Sequence, residues 1–281
     1  MRVLVVGCGY VGQPLAEKLA EAGHEVFALS RKPPKFGGRI VPIACDITRR
    51  EELKGVPAAY DAVVNTVSSS KGGADEYRSV YFEGTRNLLA HLQFRKYIWT
   101  SSTSVYAQRD GSVVTEESPA EPVSATSGIL HETEAVLLQE GQGTILRLAG
   151  IYGPDRGHLF QQYLRGEARI HGEGLRWLNM IHREDAVGAI MAALETARAG
   201  EIYNVTDNEP VRERDFFVWL AQRLKRELPP AVSEAELSGR KRGITSKRIS
   251  NRRLREQLGY ALVYPTFREG YNSEISRLGL A

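Results

Sequence analysis

A doubly wound, parallel α/β sheet is the fold this sequence predicts, and three observations predict it. The chain opens on four consecutive apolar residues, Val3 to Val6, three of them β-branched, which reads as a strand buried on both faces of a parallel sheet. The next six residues, Gly7-Cys-Gly9-Tyr-Val-Gly12, spell G-x-G-x-x-G, and Val11, Leu15, Leu19 and Ala22 recur at helical spacing. Strand-like and helix-like stretches then go on alternating. That is the order of βαβ units, whose ligands bind at the carboxyl ends of the strands.

Each element has its own reasons. Gly7 permits a tight turn, Gly9 lets a pyrophosphate approach the backbone, and Gly12 lets helix and strand pack closely. The free N–H groups and positive end of the helix then hold the phosphates. Pro14 falls in the first helical turn, where a missing N–H costs little. The plain alternative is a glycine turn that only joins strand to helix. A second strand, 25–29, ends in Ser30-Arg31-Lys32. Sites for NAD place an acid at this tip, about 20 residues after the fingerprint, to hold the ribose 2′-hydroxyl. The nearest acid here, Glu25, opens the strand, roughly 13 Å too early at about 3.3 Å per residue. A serine and two cations suit a 2′-phosphate, so NADP is predicted over NAD, with a solvated basic loop as the alternative. The third strand, 40–44, leads into Cys45-Asp46-Ile47. Asp46 either caps a helix running from Thr48 onward or hydrogen-bonds the adenine amino group. A fourth strand, 61–65, runs into the serine- and glycine-rich loop 68–74. A helix over about 75–92 and a fifth strand, 96–100, follow.

Composition bounds the function. At 281 residues, 42% hydrophobic and 25% charged, the chain has an ordinary soluble-globular make-up, long enough for a large α/β core or two modest domains. No apolar run nears the roughly 20 residues that span a bilayer, so no membrane partner is expected. The N-terminus enters a strand at once, which leaves no room for a cleaved leader. Cys8 and Cys45 have neither metal-ligand spacing nor a C-x-x-C partner, so no metal site is expected and a reducing cytoplasm is the expected compartment. A net charge of +3 is too small to argue for nucleic acid.

The fifth strand ends in Thr100-Ser-Ser102-Thr-Ser-Val-Tyr106. Downstream come Leu146-Arg-Leu-Ala-Gly-Ile-Tyr-Gly-Pro154, Asn179-Met-Ile-His-Arg-Glu-Asp185, Tyr203-Asn-Val-Thr-Asp207, and Lys247-Arg-Ile-Ser-Asn-Arg-Arg-Leu254 with Leu258-Gly-Tyr260. With these motifs in this order the chain resembles, over nearly its whole length, the extended short-chain dehydrogenase/reductases. These are the NAD-dependent epimerase/dehydratase group, which acts largely on nucleotide sugars. The resemblance implies a Rossmann-type domain, 1–152 plus 179–205, with strands at 144–148 and 201–205 and a helix at 184–196. It implies a small C-terminal α/β substrate domain, 153–178 plus 206–281, and a site in the cleft between the two. Cofactor contacts from Tyr10, Val11, Ile47, Asn65, Thr66 and Ile151 are implied beside those of the glycine turn. Family members often dimerise through two helices that correspond here to about 75–92 and 125–140.

In that family a Tyr-x-x-x-Lys pair on one helix does the acid/base work, with the lysine and cofactor lowering a phenol pKa near 10. A serine or threonine on the fifth-strand loop binds the substrate oxygen. Ser102 matches it, the alternative being a hydroxyl bonded to backbone or solvent. No tyrosine here has a lysine four residues on in a matching helix: Tyr152 is followed by Arg156, in a loop. Aligning Glu134 with the family's downstream glutamate puts Thr126 in the tyrosine slot and Leu130 in the lysine slot, on one helix face. Tyr81 stands where the family has an asparagine, before Gly84-Thr85. This pattern matches the atypical extended subgroup, which keeps fold and glycine turn but loses the pair, so fold and cofactor site carry over better than reaction type. His131, one residue past the lysine slot, has the pKa class of a general acid or base; the alternative is a solvated surface side chain. Tyr106 is expected to pack its loop and Lys71 to be solvated, each with a catalytic role as the alternative. His182 and Asp185 begin a helix that the family uses structurally, with Asp185 completing a buried hydrogen-bond network.

From Arg240 to Arg255 stand eight lysines or arginines, at 240, 241, 242, 247, 248, 252, 253 and 255, and no acid. They either meet a phosphorylated or otherwise anionic small-molecule substrate, or form a solvated basic face or oligomer contact. No aromatic residues interleave with them as single-strand binding requires, so no nucleic-acid partner is expected. Residues 169–177 resemble the family's substrate-lining loop, where Arg176 or Trp177 would touch ligand. Two functions follow: an NADP-dependent oxidoreductase or epimerase, and a redox-sensing module that holds NADP(H) without turnover. A homodimeric scaffold with a structural cofactor is a third.

Overall fold

The computed structural model describes residues 1–70, 72–139, 141, 143–233 and 245–280. The first half of the chain runs β1 (Arg2–Val6), α1 (Gly12–Glu21), β2 (Glu25–Ser30), β3 (Ile40–Ala44), β4 (Ala62–Asn65), α2 (Ala74–Tyr77), α3 (Gly84–His91), β5 (Lys96–Ser102), β6 (Val113–Val114) and α4 (Ala125–Gln139). Then come β7 (Gly143–Leu148), β8 (Gly150–Tyr152), α5 (His158–Leu164), β9 (Ile170–His171), β10 (Trp177–Leu178), β11 (Met180–His182), α6 (Arg183–Thr196) and β12 (Ile202–Val205). Last are β13 (Val211–Arg212), α7 (Glu213–Leu224), β14 (Ala231–Val232), β15 (Arg248–Ile249), α8 (Arg252–Glu256) and α9 (Phe267–Arg277).

Seven strands form one sheet in the order β3-β2-β1-β4-β5-β7-β12, and every pairing in it is parallel. The chain grows outward from β1 in both directions. The strand order therefore reverses between β1 and β4, and the crevice beyond their carboxyl ends is where such sheets bind ligands. Alternate side chains of β1 supply both faces: Val3 and Val5 join Leu15 and Leu19 of α1 and Val187 and Ile190 of α6. Leu4 and Val6 join Leu88 of α3, Trp99 of β5, and Leu130 and Leu137 of α4. That two-sided burial is why β1 reads as an uninterrupted apolar run.

A third, aromatic core lies outside the sheet. Phe216 meets Phe217, Phe267 and Tyr271 at ring separations of 5.5, 5.6 and 5.3 Å. The short pairs β10–β13 and β9–β14 frame this smaller α/β unit. Of its expected extent, 153–178 plus 206–281, one stretch packs elsewhere. Leu254 and Leu258 pack in the cluster of α1 and α6, with Tyr260 and Leu262 against it, so the chain from α8 to about residue 262 returns to the large sheet. Tyr260 is drawn there because its hydroxyl donates to buried Asp185 at 2.9 Å.

Two helix expectations also change. From Thr48 the chain makes turns and a single 3₁₀ segment, Glu52–Gly55, and no α-helix. Asp46 caps that turn: its Oδ1 accepts from Thr48 N at 3.0 Å and Thr48 Oγ1 at 2.8 Å, and its own N–H donates to Glu52 Oε2 at 2.8 Å. With Gly55 and Pro57 following, too few residues remain to repay helix nucleation. The helix expected over 75–92 forms, but Arg78–Glu83 between α2 and α3 is π-helical. Tyr81 in that wide turn packs beside Tyr77 and edge-on to Trp99. Among the described residues no helix is long and apolar enough to cross a membrane.

Candidate functional site

The carboxyl ends of β1, β2 and β4 open into a cleft of about 690 Å³. Its floor is the glycine turn. Gly7 has φ +91°, and a Cβ there would stand 2.7 Å from Val67 N. A Cβ on Gly12 would stand 2.0 Å from the Gly7 carbonyl oxygen and 2.5 Å from Thr66 Oγ1. Thr66 Oγ1 donates to Gly7 O at 2.7 Å, and Gly7 N donates to Leu29 O at 2.8 Å, so β4 and β2 both clamp the turn. Gly9 differs: a Cβ there would meet no protein atom within 4 Å. Space beside Gly9 with crowding at Gly7 and Gly12 is the pattern a phosphate-bearing ligand requires. Helix α1 begins here with no side-chain cap and no acid in its first turn; Gln13 N donates to Gly9 O at 3.0 Å, and the positive helix end faces the turn as a seat for an anion. Burial pushes the Cys8 thiol up to about 12, so it adds no negative charge beside them.

The other end of the cleft is formed by Ser30, Arg31 and Lys32 together with Asp46 and Ile47. Ser30 Oγ is buried and has no hydrogen-bond partner among the described residues, an unmet group at the point where a ribose substituent would arrive. Arg31 and Lys32 are exposed and, among the described residues, carry no ion pair. An orphaned hydroxyl, two free cations, a cradle a Cβ would obstruct and a bare helix end together fit a phosphorylated dinucleotide.

Eight predicted cofactor residues thus line one cleft: Gly7, Gly9, Ser30, Arg31, Lys32, Asp46, Ile47 and Thr66. Others stand behind it. Gly12 and Val11 pack the turn from below, and Ile151 pairs with Ile181 between β8 and β11. The side chain of Asn65 is fully buried; its Nδ2 donates to Tyr97 OH at 2.9 Å, and its Oδ1 accepts from Val67 N at 3.2 Å. Tyr10 reaches across to the loop after β8, where its hydroxyl donates to Pro154 O at 3.0 Å. Sequence reading missed Thr48, Ser70, Glu76 and Ser79 on the cleft wall. Glu76 holds its loop in place, accepting from Ser69 Oγ, from Ser70 Oγ at 3.2 Å and from Gly72 N at 2.8 Å. The serines and glycines of 68–74 were the available signal.

The expected reaction apparatus lies at the end of β5 and on α4. Ser102 caps the 3₁₀ turn Thr103–Val105, its Oγ accepting from Ser104 N at 3.2 Å, which leaves the hydroxyl proton to donate elsewhere. Thr126 Oγ1 bonds Ser124 Oγ at 3.1 Å in the first turn of α4. Leu130 is buried in the core with Tyr81 and Trp99. His131 is half-buried and has no hydrogen-bond partner among the described residues. The register of α4 is pinned from behind: Glu134 accepts from Arg147 Nε at 3.0 Å, Arg147 Nη2 at 2.6 Å and Ser101 Oγ at 2.6 Å, all buried. Tyr106 packs as expected, its hydroxyl donating to Asn204 Oδ1 at 2.9 Å. Asp185 is buried as expected, accepting from Tyr260 OH, Val263 N and Tyr264 N. Burial lowers His182 to about 4, so its imidazole is neutral near pH 7.

The basic stretch is not one face. Arg240, Lys241 and Arg242 lie outside the described residues, as does Lys71. Lys247 is buried, its Nζ donating to Tyr106 O and Thr245 Oγ1, both at 2.9 Å, and burial pushes its pKa down to about 8. Arg253 pairs with Glu117 at 2.5 Å, and Arg248 lies over the Trp177 ring at 5.4 Å. Arg176, expected at ligand, is held by buried Glu213 at 2.5 Å, with His171 Nδ1 on the same carboxylate at 2.6 Å.

Comparison with known proteins agrees with this fold. The family model described as "NAD dependent epimerase/dehydratase family" matches residues 3–206. Protein YeeZ of Escherichia coli is 31% identical over 94% of this chain and 96% of its own. A Streptomyces 3-diazoavenalumate denitrifying reductase is 28% identical over 98% of this chain and all of its own. The solved structure of MoeE5 in complex with UDP-glucuronic acid and NAD superposes with a TM-score of 0.83, covering all of both chains at 23% identity, a likeness of fold. The chain belongs to the NAD-dependent epimerase/dehydratase family.

Proposed function

We propose that this protein is an NADP-dependent oxidoreductase or epimerase acting on a nucleotide-sugar-like or other anionic polar substrate. The observation that carries the cofactor choice is the tip of β2, where, among the described residues, the unpartnered Ser30 hydroxyl is followed by two cations without ion pairs, and the nearby Asp46 is held by Thr48. Gly7 and Gly9 would hold the pyrophosphate with the first N–H groups of α1, and Arg31 with Lys32 would take the 2′-phosphate. When bound, the nicotinamide supplies or accepts a hydride. Ser102 would orient the substrate oxygen through its free hydroxyl proton, with Thr126 in the tyrosine slot of α4 as a second hydroxyl and His131 as the group that holds or moves a proton. Similarity along the full chain to a protein named as a reductase favours the oxidoreductase half of this reading.

Calorimetric titration with NADPH and NADH, on the unaltered protein and on Arg31→Ala, tests it. NADPH is expected to bind more tightly, and loss of one charge-assisted contact to cost about tenfold or more in NADPH affinity alone. Equal affinity for the two cofactors would refute the NADP choice. A second reading, a sensor that binds NADP(H) without turnover, is favoured by Leu130, whose apolar side chain is buried where acid/base chemistry in this family needs a charge. A substrate screen without turnover, alongside a conformational response that differs between NADP+ and NADPH, would support it.

A further inference from the structure

We infer that Arg156, in the loop after β8, is a cofactor-binding residue that reaches the pyrophosphate from beside the glycine turn. This rests on the dinucleotide reading above. Tyr10 follows Gly9 directly, and its ring carries two guanidinium groups, that of Arg156 with its carbon 4.8 Å from the centroid and that of Arg183 at 5.1 Å. The Tyr10 hydroxyl donates to Pro154 O, so the loop that bears Arg156 is tied to the turn that would cradle phosphate. That loop is itself closed in both directions, Gly153 N to Arg156 O at 3.2 Å and Arg156 N to Gly153 O at 3.0 Å. Gly153, with φ +140°, makes the approach possible, since a Cβ there would stand 3.0 Å from the Tyr10 hydroxyl oxygen.

Charge pairing then separates the two arginines. Arg183 is bound to Glu184, which also takes Lys18 at 2.7 Å. Asp155, the acid next to Arg156, is taken by Arg277 at 3.0 Å, and Arg277 also holds Glu274 at 2.9 Å. Arg156 is exposed and, among the described residues, has no carboxylate partner. An aromatic face can seat a guanidinium without consuming its donors, which stay free for the fork-shaped contact that phosphate oxygens accept. Such a contact would join the glycine turn to the segment leading into the smaller unit, so cofactor binding would hold the two together.

The test is calorimetric titration of the full chain and of Arg156→Gln, Arg156→Lys and Tyr10→Phe with two probes, NADPH and adenosine 2′-monophosphate. The second carries the 2′-phosphate and no pyrophosphate. Arg156→Gln is expected to weaken NADPH about tenfold and leave adenosine 2′-monophosphate unchanged, with Arg156→Lys between. Tyr10→Phe keeps the ring but loses the tie to Pro154 O, and is expected to weaken NADPH less than Arg156→Gln does while leaving adenosine 2′-monophosphate unchanged. NADPH affinity within about twofold of the unaltered protein in Arg156→Gln would overturn the inference, as would equal weakening of both probes, which marks a general disturbance of the turn. If the unaltered protein binds neither probe, the dinucleotide reading itself fails.

Discussion

Replacing Gly12 and Gly9 by alanine, one at a time, separates what the turn needs for folding from what it needs for ligand. At Gly12 the added carbon would stand 2.0 Å from the Gly7 carbonyl oxygen and 2.5 Å from Thr66 Oγ1. Neither atom retreats cheaply, because they are bonded to each other at 2.7 Å and Thr66 Oγ1 also reaches Val6 O at 3.2 Å. Overpacking costs about 1–3 kcal/mol, and a strained or broken hydrogen bond adds about 1 kcal/mol. Gly12→Ala should therefore lose about 2–4 kcal/mol. At Gly9 no protein atom lies within 4 Å of the added carbon, and the backbone is outside the left-handed region. Gly9→Ala should leave stability within about 0.5 kcal/mol, since the lost freedom of the unfolded chain acts in its favour. Ligand binding should respond in the opposite sense. The Gly9→Ala methyl would occupy the space where a pyrophosphate meets the backbone, so NADPH should bind about tenfold more weakly or worse. Urea midpoints read the first effect and NADPH titration the second. A Gly9→Ala variant that binds NADPH as tightly as the unaltered protein would refute the placement of phosphate on this turn. An unchanged urea midpoint in Gly12→Ala would refute the packing argument.

Glu134→Ala strands the Arg147 guanidinium in a buried site and should cost about 3–5 kcal/mol in urea denaturation, while a Glu134→Met/Arg147→Met pair recovers part of it; equal losses in the single and double variants would argue against the pair. Burial holds Lys247 at about 8 against an ordinary 10.5, so between those pH values the unfolded chain binds more protons than the folded one. The unaltered protein should therefore gain stability from this group as pH rises through that window, with the penalty fully present below it, on the order of 3–4 kcal/mol. Lys247→Met should remove that component, seen as a shallower rise of urea midpoint with pH; identical slopes in the two proteins would show that the amine does not titrate there.

What was legible in the sequence was local. The glycine turn, the strand before it and the helix after it occupy consecutive residues, and their demands are steric and short-range, so reading Gly7, Gly9 and Gly12 in order recovers the cleft floor. Ser30-Arg31-Lys32 was legible for the same reason: a strand end and its next residues travel together. Asn65 and Asp46 show the limit. Each is a polar residue at a strand's carboxyl end, and what decides its role is a partner elsewhere, Tyr97 for the one and the Thr48–Glu52 turn for the other. The described part of the basic stretch, residues 247–255, behaves similarly. Its charges look equivalent in order, but Tyr106 O and Thr245 Oγ1 bury Lys247, while Glu117 claims Arg253.

The same distinction bears on the reaction. An empty Tyr-x-x-x-Lys pattern could in principle reflect a helix whose register had slipped, with other residues turned toward the cleft. The Glu134–Arg147–Ser101 cluster closes that route, because one buried carboxylate accepts from β5 and β7 at once and a slip of a single residue would leave Arg147 charged and unpaired in the core. Leu130 therefore belongs where it stands, among Tyr81, Trp99 and Tyr106, and a lysine there would enter an apolar cluster and lose its proton rather than lend its charge. Under the enzyme reading proposed above, Ser102 at the end of β5 would orient substrate by a hydrogen bond, and the proton would have to come from a group outside the pinned motif. The fold keeps the glycine-turn cleft, while buried Leu130 leaves this helix without the charge that the family's paired motif supplies.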